Sequence, residues 1–121
     1  MKENNVIMDK SKAFAVRIIR AYQYLHDEKK EWILSKQMLK SGTSIGANVK
    51  EAIRGQSKAD FIAKMNISLK EASETEYWLE LLHESNYLDE TLFKSIYADC
   101  DELIRLLVSI TKTQKRVRSA E

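Results

Sequence analysis

The chain has 121 residues, a formal net charge of +2, no proline and only three glycines, with 44% hydrophobic residues. This excludes disorder and collagen-like repeats, argues against a turn-rich β fold, and leaves room for one domain spanning 1–121. The near balance hides a polarity: residues 1–56 hold 11 Lys/Arg against 6 Asp/Glu, and residues 57–121 hold 9 against 12, which suits a polyanionic partner or head-to-tail packing of copies.

A first helix is expected over about 9–29, because Phe14, Ile18, Ala21 and Leu25 recur at spacings of three and four. Lys29 and Lys30 then fall where the helix dipole favours positive charge. A second helix, about 32–54, carries Leu34, Met38, Ser41, Ile45, Val49 and Ala52 on one stripe, and Gly55 beyond it reads as a left-handed cap. Ser57 and Asp60 form a capping-box-like start to a third helix over 58–85, with Phe61, Met65, Ser68, Ala72, Thr75, Leu79 and Leu82 on its stripe. Asp89 caps a fourth, 90–115, in which Phe93, Ile96, Cys100, Leu103, Leu107 and Ile110 alternate at three and four. Long helices joined by short loops must fold back on one another to bury these stripes. The fold expected is all-α, an up-down-up-down antiparallel four-helix bundle.

The first and third helices carry more apolar surface than one seam needs, notably Ile19, Ile67 and Trp78, with Ala15, Val16, Ile62, Leu69 and Leu81. The excess points to a homo-oligomer; the competing reading is that the third helix sits between two neighbours.

Catalytic chemistry is hard to assemble. Cys100 is the single cysteine, His26 and His83 lie on different helices, and Glu80-Leu-Leu-His83 is only half of a bundle di-metal motif. No catalytic set, metal site, cofactor or small-molecule substrate is expected, and the protein reads as no enzyme. With no apolar leader, no membrane-length apolar run and an unpaired cysteine, the expected setting is cytoplasmic, without a membrane partner.

Ser41-Gly-Thr-Ser-Ile-Gly-Ala-Asn48 looks like a phosphate cradle but lacks the Gly-Lys-Ser/Thr ending of a P-loop and the strand before it. Gly42, Ser44 and Gly46 read better as a strip that lets another backbone approach, with a ligand contact as the alternative. Asn48 beside them needs a hydrogen-bond partner if buried. Arg17 and Arg20 lie three apart, and Lys36/Lys40 and Lys50/Arg54 each lie four apart, while Lys115, Arg116 and Arg118 mark the tail. Like charges at these spacings repel weakly, so they are candidate phosphate contacts. The competing reading is solvated faces with acidic neighbours across the bundle.

Three stretches carry a family resemblance: Lys40-Ser-Gly-Thr-Ser-Ile-Gly-Ala-Asn-Val-Lys-Glu-Ala52, Gly55-Gln-Ser-Lys-Ala-Asp-Phe61 and Lys70-Glu-Ala-Ser-Glu-Thr-Glu-Tyr-Trp-Leu79. The chain resembles the bacterial four-helix-bundle proteins encoded within intervening sequences of 23S rRNA genes, often labelled ribosomal proteins. A related branch is the accessory variability determinant of diversity-generating retroelements. The resemblance implies an up-down bundle assembled as a ring-shaped homopentamer; the retroelement relatives are basic, bind nucleic acid and associate with a reverse transcriptase. This chain departs from them in its modest charge and acidic third helix. Two functions are carried forward: an RNA- or nucleoprotein-associated accessory factor, and a protein-interaction scaffold that docks a partner through Glu71, Glu74, Glu76, Glu80 and Glu84 without binding nucleic acid.

Overall fold

The computed structural model describes the backbone of residues 2–120 and the side chains of these residues except Glu3 and residues 114–120. Four helices follow one another: α1 (Lys2–Asp27), α2 (Leu34–Ile53), α3 (Lys58–Glu84) and α4 (Glu90–Ala120). Each packs against its neighbours in the chain, and α1 closes the bundle against α4, while the backbones of the diagonal pairs α1/α3 and α2/α4 stay farther apart. The expected four-helix bundle is therefore the observed one. Its core runs through Ile7, Phe14, Ile18 and Leu25 of α1, Met38, Ile45 and Val49 of α2, Met65, Leu79 and Leu82 of α3, and Ile96, Leu103 and Leu107 of α4. Each of the larger side chains contributes roughly 1.5–3 kcal/mol by leaving water.

Several boundaries differ from expectation. Helix α1 starts at Lys2 rather than near residue 9, because Ile7 is fully buried and extends the stripe Ile7, Ser11, Phe14 by two further turns. The polar run Lys2-Glu-Asn-Asn5 hides that extension in the sequence. Helix α4 runs on past residue 115. Gly55 is not left-handed: no glycine has positive φ among the described residues, and Arg54 ends α2 at φ −89°, its N–H donating to the Lys50 carbonyl. The turn needs no reversal because Ser57 opens α3 almost at once, its hydroxyl accepting the Asp60 N–H at 3.1 Å. The left-handed positions are Lys30 and Asn86. Asn86 closes α3 in a Schellman arrangement, with Tyr87 N–H on the Leu82 carbonyl (2.8 Å) and its own N–H on the His83 carbonyl (3.0 Å).

The start of α2 is built by a residue the periodicity passes over. Glu31 is only 8% exposed, and its carboxylate accepts the N–H groups of Ile33, Leu34 and Ser35 at 3.2, 3.0 and 2.7 Å. Burial acts against the charge, but the backbone donors outweigh it and hold the carboxyl below its ordinary range. Trp32 and Ile33 thus lie ahead of the helix, exposed in the α1–α2 connection.

Two glycines set the spacing of α1 against α2. A Cβ at Gly42 would stand 2.8 Å from Ile18 Cγ2, and one at Gly46 would meet Ser11 Oγ at 3.2 Å. On its other side α2 meets α3 through hydroxyls: Ser68 Oγ donates to the Ile45 carbonyl (2.8 Å), and Thr75 and Ser41 share a hydrogen bond (2.9 Å). The Cys100 thiol of α4 donates to the Ala72 carbonyl (3.3 Å). No buried polar side-chain atom lacks a partner among the described residues.

Candidate nucleic-acid interface

The candidate basic residues separate by whether the subunit already uses them. Arg17 is engaged: its guanidinium reaches Asp99 Oδ2 at 2.7 Å and Ser95 Oγ at 3.0 Å, tying α1 to α4. Lys10 bridges the same seam to Glu102 at 3.2 Å. Arg17 thus has an acidic neighbour across the bundle, as the competing reading of these charges expects. Arg20, Lys36, Lys50 and Arg54 are exposed, and among the described residues none has a side-chain ion pair or hydrogen bond. Lys40 is also exposed and lies near enough to Glu71 to lower that carboxyl's pKa, although burial and Glu74 raise it further and the net direction is upward. Lys115, Arg116 and Arg118 lie outside the residues whose side chains are described.

Lys50 and Arg54, one turn apart on α2, line an open groove against the outer side of α1, with a volume of about 530 Å³. Lys12, not singled out by the sequence reading, faces the same groove, as do Asp9 and Asn5, while Met8, Ala15, Ala47 and Ile53 supply its apolar wall. Gly46 and Thr43 belong to its α2 side. The strip Ser41–Asn48 is therefore divided in use: Gly42 and Gly46 admit α1, and the outer edge borders this groove. Ser44 and Asn48 turn to their own helix, Ser44 Oγ donating to the Lys40 carbonyl (2.7 Å) and Asn48 Nδ2 to the Ser44 carbonyl (2.8 Å). Asn48 is half-buried and finds its partner within α2 rather than across the core.

The α3–α4 side carries the opposite charge. Glu76 is pushed upward by burial first, then by Asp101 and Glu80. Tyr97 donates to Glu80 at 2.7 Å, and this bond, with burial and the surrounding carboxylates, raises its phenol. Burial, reinforced by Glu76, Asp101 and Asp99, raises the Cys100 thiol strongly. Glu80 and His83, the half-motif in the sequence, are drawn apart: Glu80 holds Tyr97, whereas His83 pairs with Glu90 at 2.8 Å and stacks on Phe93. No group of three or more His, Cys, Asp or Glu side chains suited to a metal occurs among the described residues.

Of the residues expected to exceed one seam, Ile19 (40% exposed) and Ile67 (41% exposed) stand outside the core with Val16. Trp78 is half-buried against the subunit's own core, and Ile62 is buried, because α3 lies between α2 and α4. No helix among the described residues is long and apolar enough to cross a membrane.

Comparison with known proteins places this geometry in a family. The model of the 23S rRNA-intervening sequence protein family matches residues 3–109. The crystal structure, at 1.70 Å resolution, of a protein with unknown function from the S23 ribosomal protein family of Bacteroides thetaiotaomicron VPI-5482 is similar at 55% identity and a TM-score of 0.90. The match covers 91% of this chain and 98% of that one. No curated protein matches the chain.

Proposed function

The chain belongs to the 23S rRNA-intervening sequence protein family, and on that premise we propose that it is a non-enzymatic, self-associating bundle that attaches to RNA or a nucleoprotein through α1 and α2. The observation that carries this reading is unequal partnering of the cations. Arg17 and Lys10 are spent on α4, whereas Arg20, Lys36, Lys50 and Arg54 project from α1 and α2 with no acidic partner among the described residues. A phosphate backbone supplies the missing charge and releases counterions. The names of the family and of the Bacteroides relative both accord with an rRNA setting. Exposed Val16, Ile19 and Ile67 support assembly of copies, for which the ring of five implied by the resemblance is the proposed form.

A salt titration of a labelled single-stranded RNA tests the reading. With four phosphate contacts, affinity falls about 50-fold between 50 and 200 mM salt. Lys50→Ala and Arg54→Ala each flatten the slope, while Arg17→Ala leaves it unchanged and lowers stability by up to about 1 kcal/mol. No binding at 50 mM salt overturns the proposal in favour of the scaffold reading. That alternative draws on the acidic α3 face, where Glu71 and Glu76 hold their protons more tightly than ordinary carboxyls. Light scattering decides the subunit number.

A further inference from the structure

We propose that the α1–α2 groove is a ribose-reading subsite: Lys50 and Arg54 hold phosphates of a single-stranded RNA segment while Asp9, with Asn5, engages its 2′-hydroxyl groups. This deepens the reading above and rests on it. The groove, at about 530 Å³, lies in the size range of ligand pockets. It places three cations (Lys12, Lys50, Arg54) and one carboxylate (Asp9) around a common space. Opposite charges sharing a cleft ordinarily close on each other, yet none of these four makes an ion pair among the described residues. The space between them is therefore open to a ligand carrying both signs of hydrogen-bonding demand.

That demand narrows the ligand class. The α2 side offers Lys50 and Arg54, about 6 Å apart along the helix axis, and a guanidinium fork matches a phosphate. A bare inorganic anion satisfies these cations but leaves Asp9 without a hydrogen-bond donor. An ionised carboxylate only accepts hydrogen bonds, so its partner must bring an O–H or N–H. The ribose 2′-hydroxyl is such a donor, and it separates RNA from DNA. Met8, Ala15 and Ile53 give the carbons of the sugar an apolar surface.

The test measures anisotropy of one labelled sequence made as RNA, as DNA and as 2′-O-methyl RNA, at a single low salt concentration. The wild-type protein is expected to bind RNA about tenfold or more tightly than either other form, the scale of one lost hydrogen bond to a charged group. Asp9→Ala removes the acceptor for the 2′-hydroxyl and brings the RNA/DNA affinity ratio to near 1. Lys50→Ala and Arg54→Ala weaken RNA and DNA alike and keep the ratio. Circular dichroism confirms that exposed Asp9 is dispensable for folding. Equal binding of RNA and DNA by the wild type, or an RNA preference that survives Asp9→Ala, overturns the ribose subsite and leaves the polyanion reading standing. Failure to bind either strand overturns both.

Discussion

Gly42→Ala opposes two effects of similar size, and the structure decides between them. In an exposed helix, alanine is favoured over glycine by about 1 kcal/mol. At Gly42 the added carbon would lie 2.8 and 2.9 Å from Ile18 Cγ2 and Cγ1 and 3.3 Å from Ile18 Cβ. Ile18 is fully buried, and a β-branched side chain in a helix has essentially one rotamer, so it cannot swing aside. Helix α1 must shift, and overpacking of this kind costs roughly 1–3 kcal/mol. The net expectation is a loss of about 1 kcal/mol, or roughly 3–6 °C in Tm for a domain of this size. Gly46→Ala is the internal comparison: its nearest neighbour is the small Ser11 hydroxyl at 3.2 Å, so the helix-propensity gain survives and stability holds or rises by up to about 1 kcal/mol. In an Ile18→Ala background the two Cγ contacts are removed and only the 3.3 Å approach of the residue-18 Cβ remains, so Gly42→Ala becomes neutral or stabilising by up to about 1 kcal/mol. Urea melts at matched protein concentration measure all four corners of this cycle. Stabilisation by Gly42→Ala in the wild-type background, or an equal loss in both backgrounds, would refute the close approach of α1 to α2.

Glu31→Ala is expected to cost about 1–2 kcal/mol at pH 7, because three backbone N–H donors at the start of α2 lose their carboxylate acceptor. Because the folded carboxyl lies below its ordinary 4.5, its contribution is present above that pH and fades as pH falls through the folded value, so wild type and variant converge in acid melts. Glu76→Gln has the opposite sign: its folded carboxyl is raised, so the variant is more stable at pH 7 by less than about 0.5 kcal/mol, and the gain vanishes as acidification protonates the wild-type group. Cys100, buried and with its thiol raised, is expected to resist iodoacetamide in the native protein and to react fully in denaturant, as read by mass spectrometry. Rapid native alkylation would contradict its place in the α3–α4 seam.

The seams were legible because they depend on apolar spacing, which the chain displays openly. Ile96, Cys100, Leu103 and Leu107 all lie where the three-four alternation puts them. Helix ends were less legible, since they depend on single side chains reaching backbone groups. Ser57 and Asp89 announce themselves as cap residues, with Asp89 accepting the Leu92 N–H at 2.8 Å, whereas Glu31 is an uncommon residue for that work and gave no signal. The surviving hint is a glutamate four residues before Ser35, whose hydroxyl returns the bond to the Glu31 carbonyl. The basic residues were visible as charges, but which of them are already occupied is a question of what lies across the bundle. Arg17 and Arg20 look alike in the sequence, and only one faces Asp99. The pairing of Lys12 with Asp9 in one groove is not visible in the sequence, because that groove is made by two helices meeting, which no spacing within one helix reveals.

The hydroxyls between α2 and α3 carry a consequence for alignment. Sliding α2 along α3 by one turn, 5.4 Å, would leave greasy side chains facing greasy side chains, since the repeat looks the same after the move. It would strand Ser68 away from the Ile45 carbonyl and separate Thr75 from Ser41. Oil thus decides how tightly these rods cling, and a few oxygens decide at which notch they stop. Swapping Ser41, Ser68 and Thr75 together for alanine and valine would yield a particle still dense, but with neighbouring rods free to settle at more than one stagger.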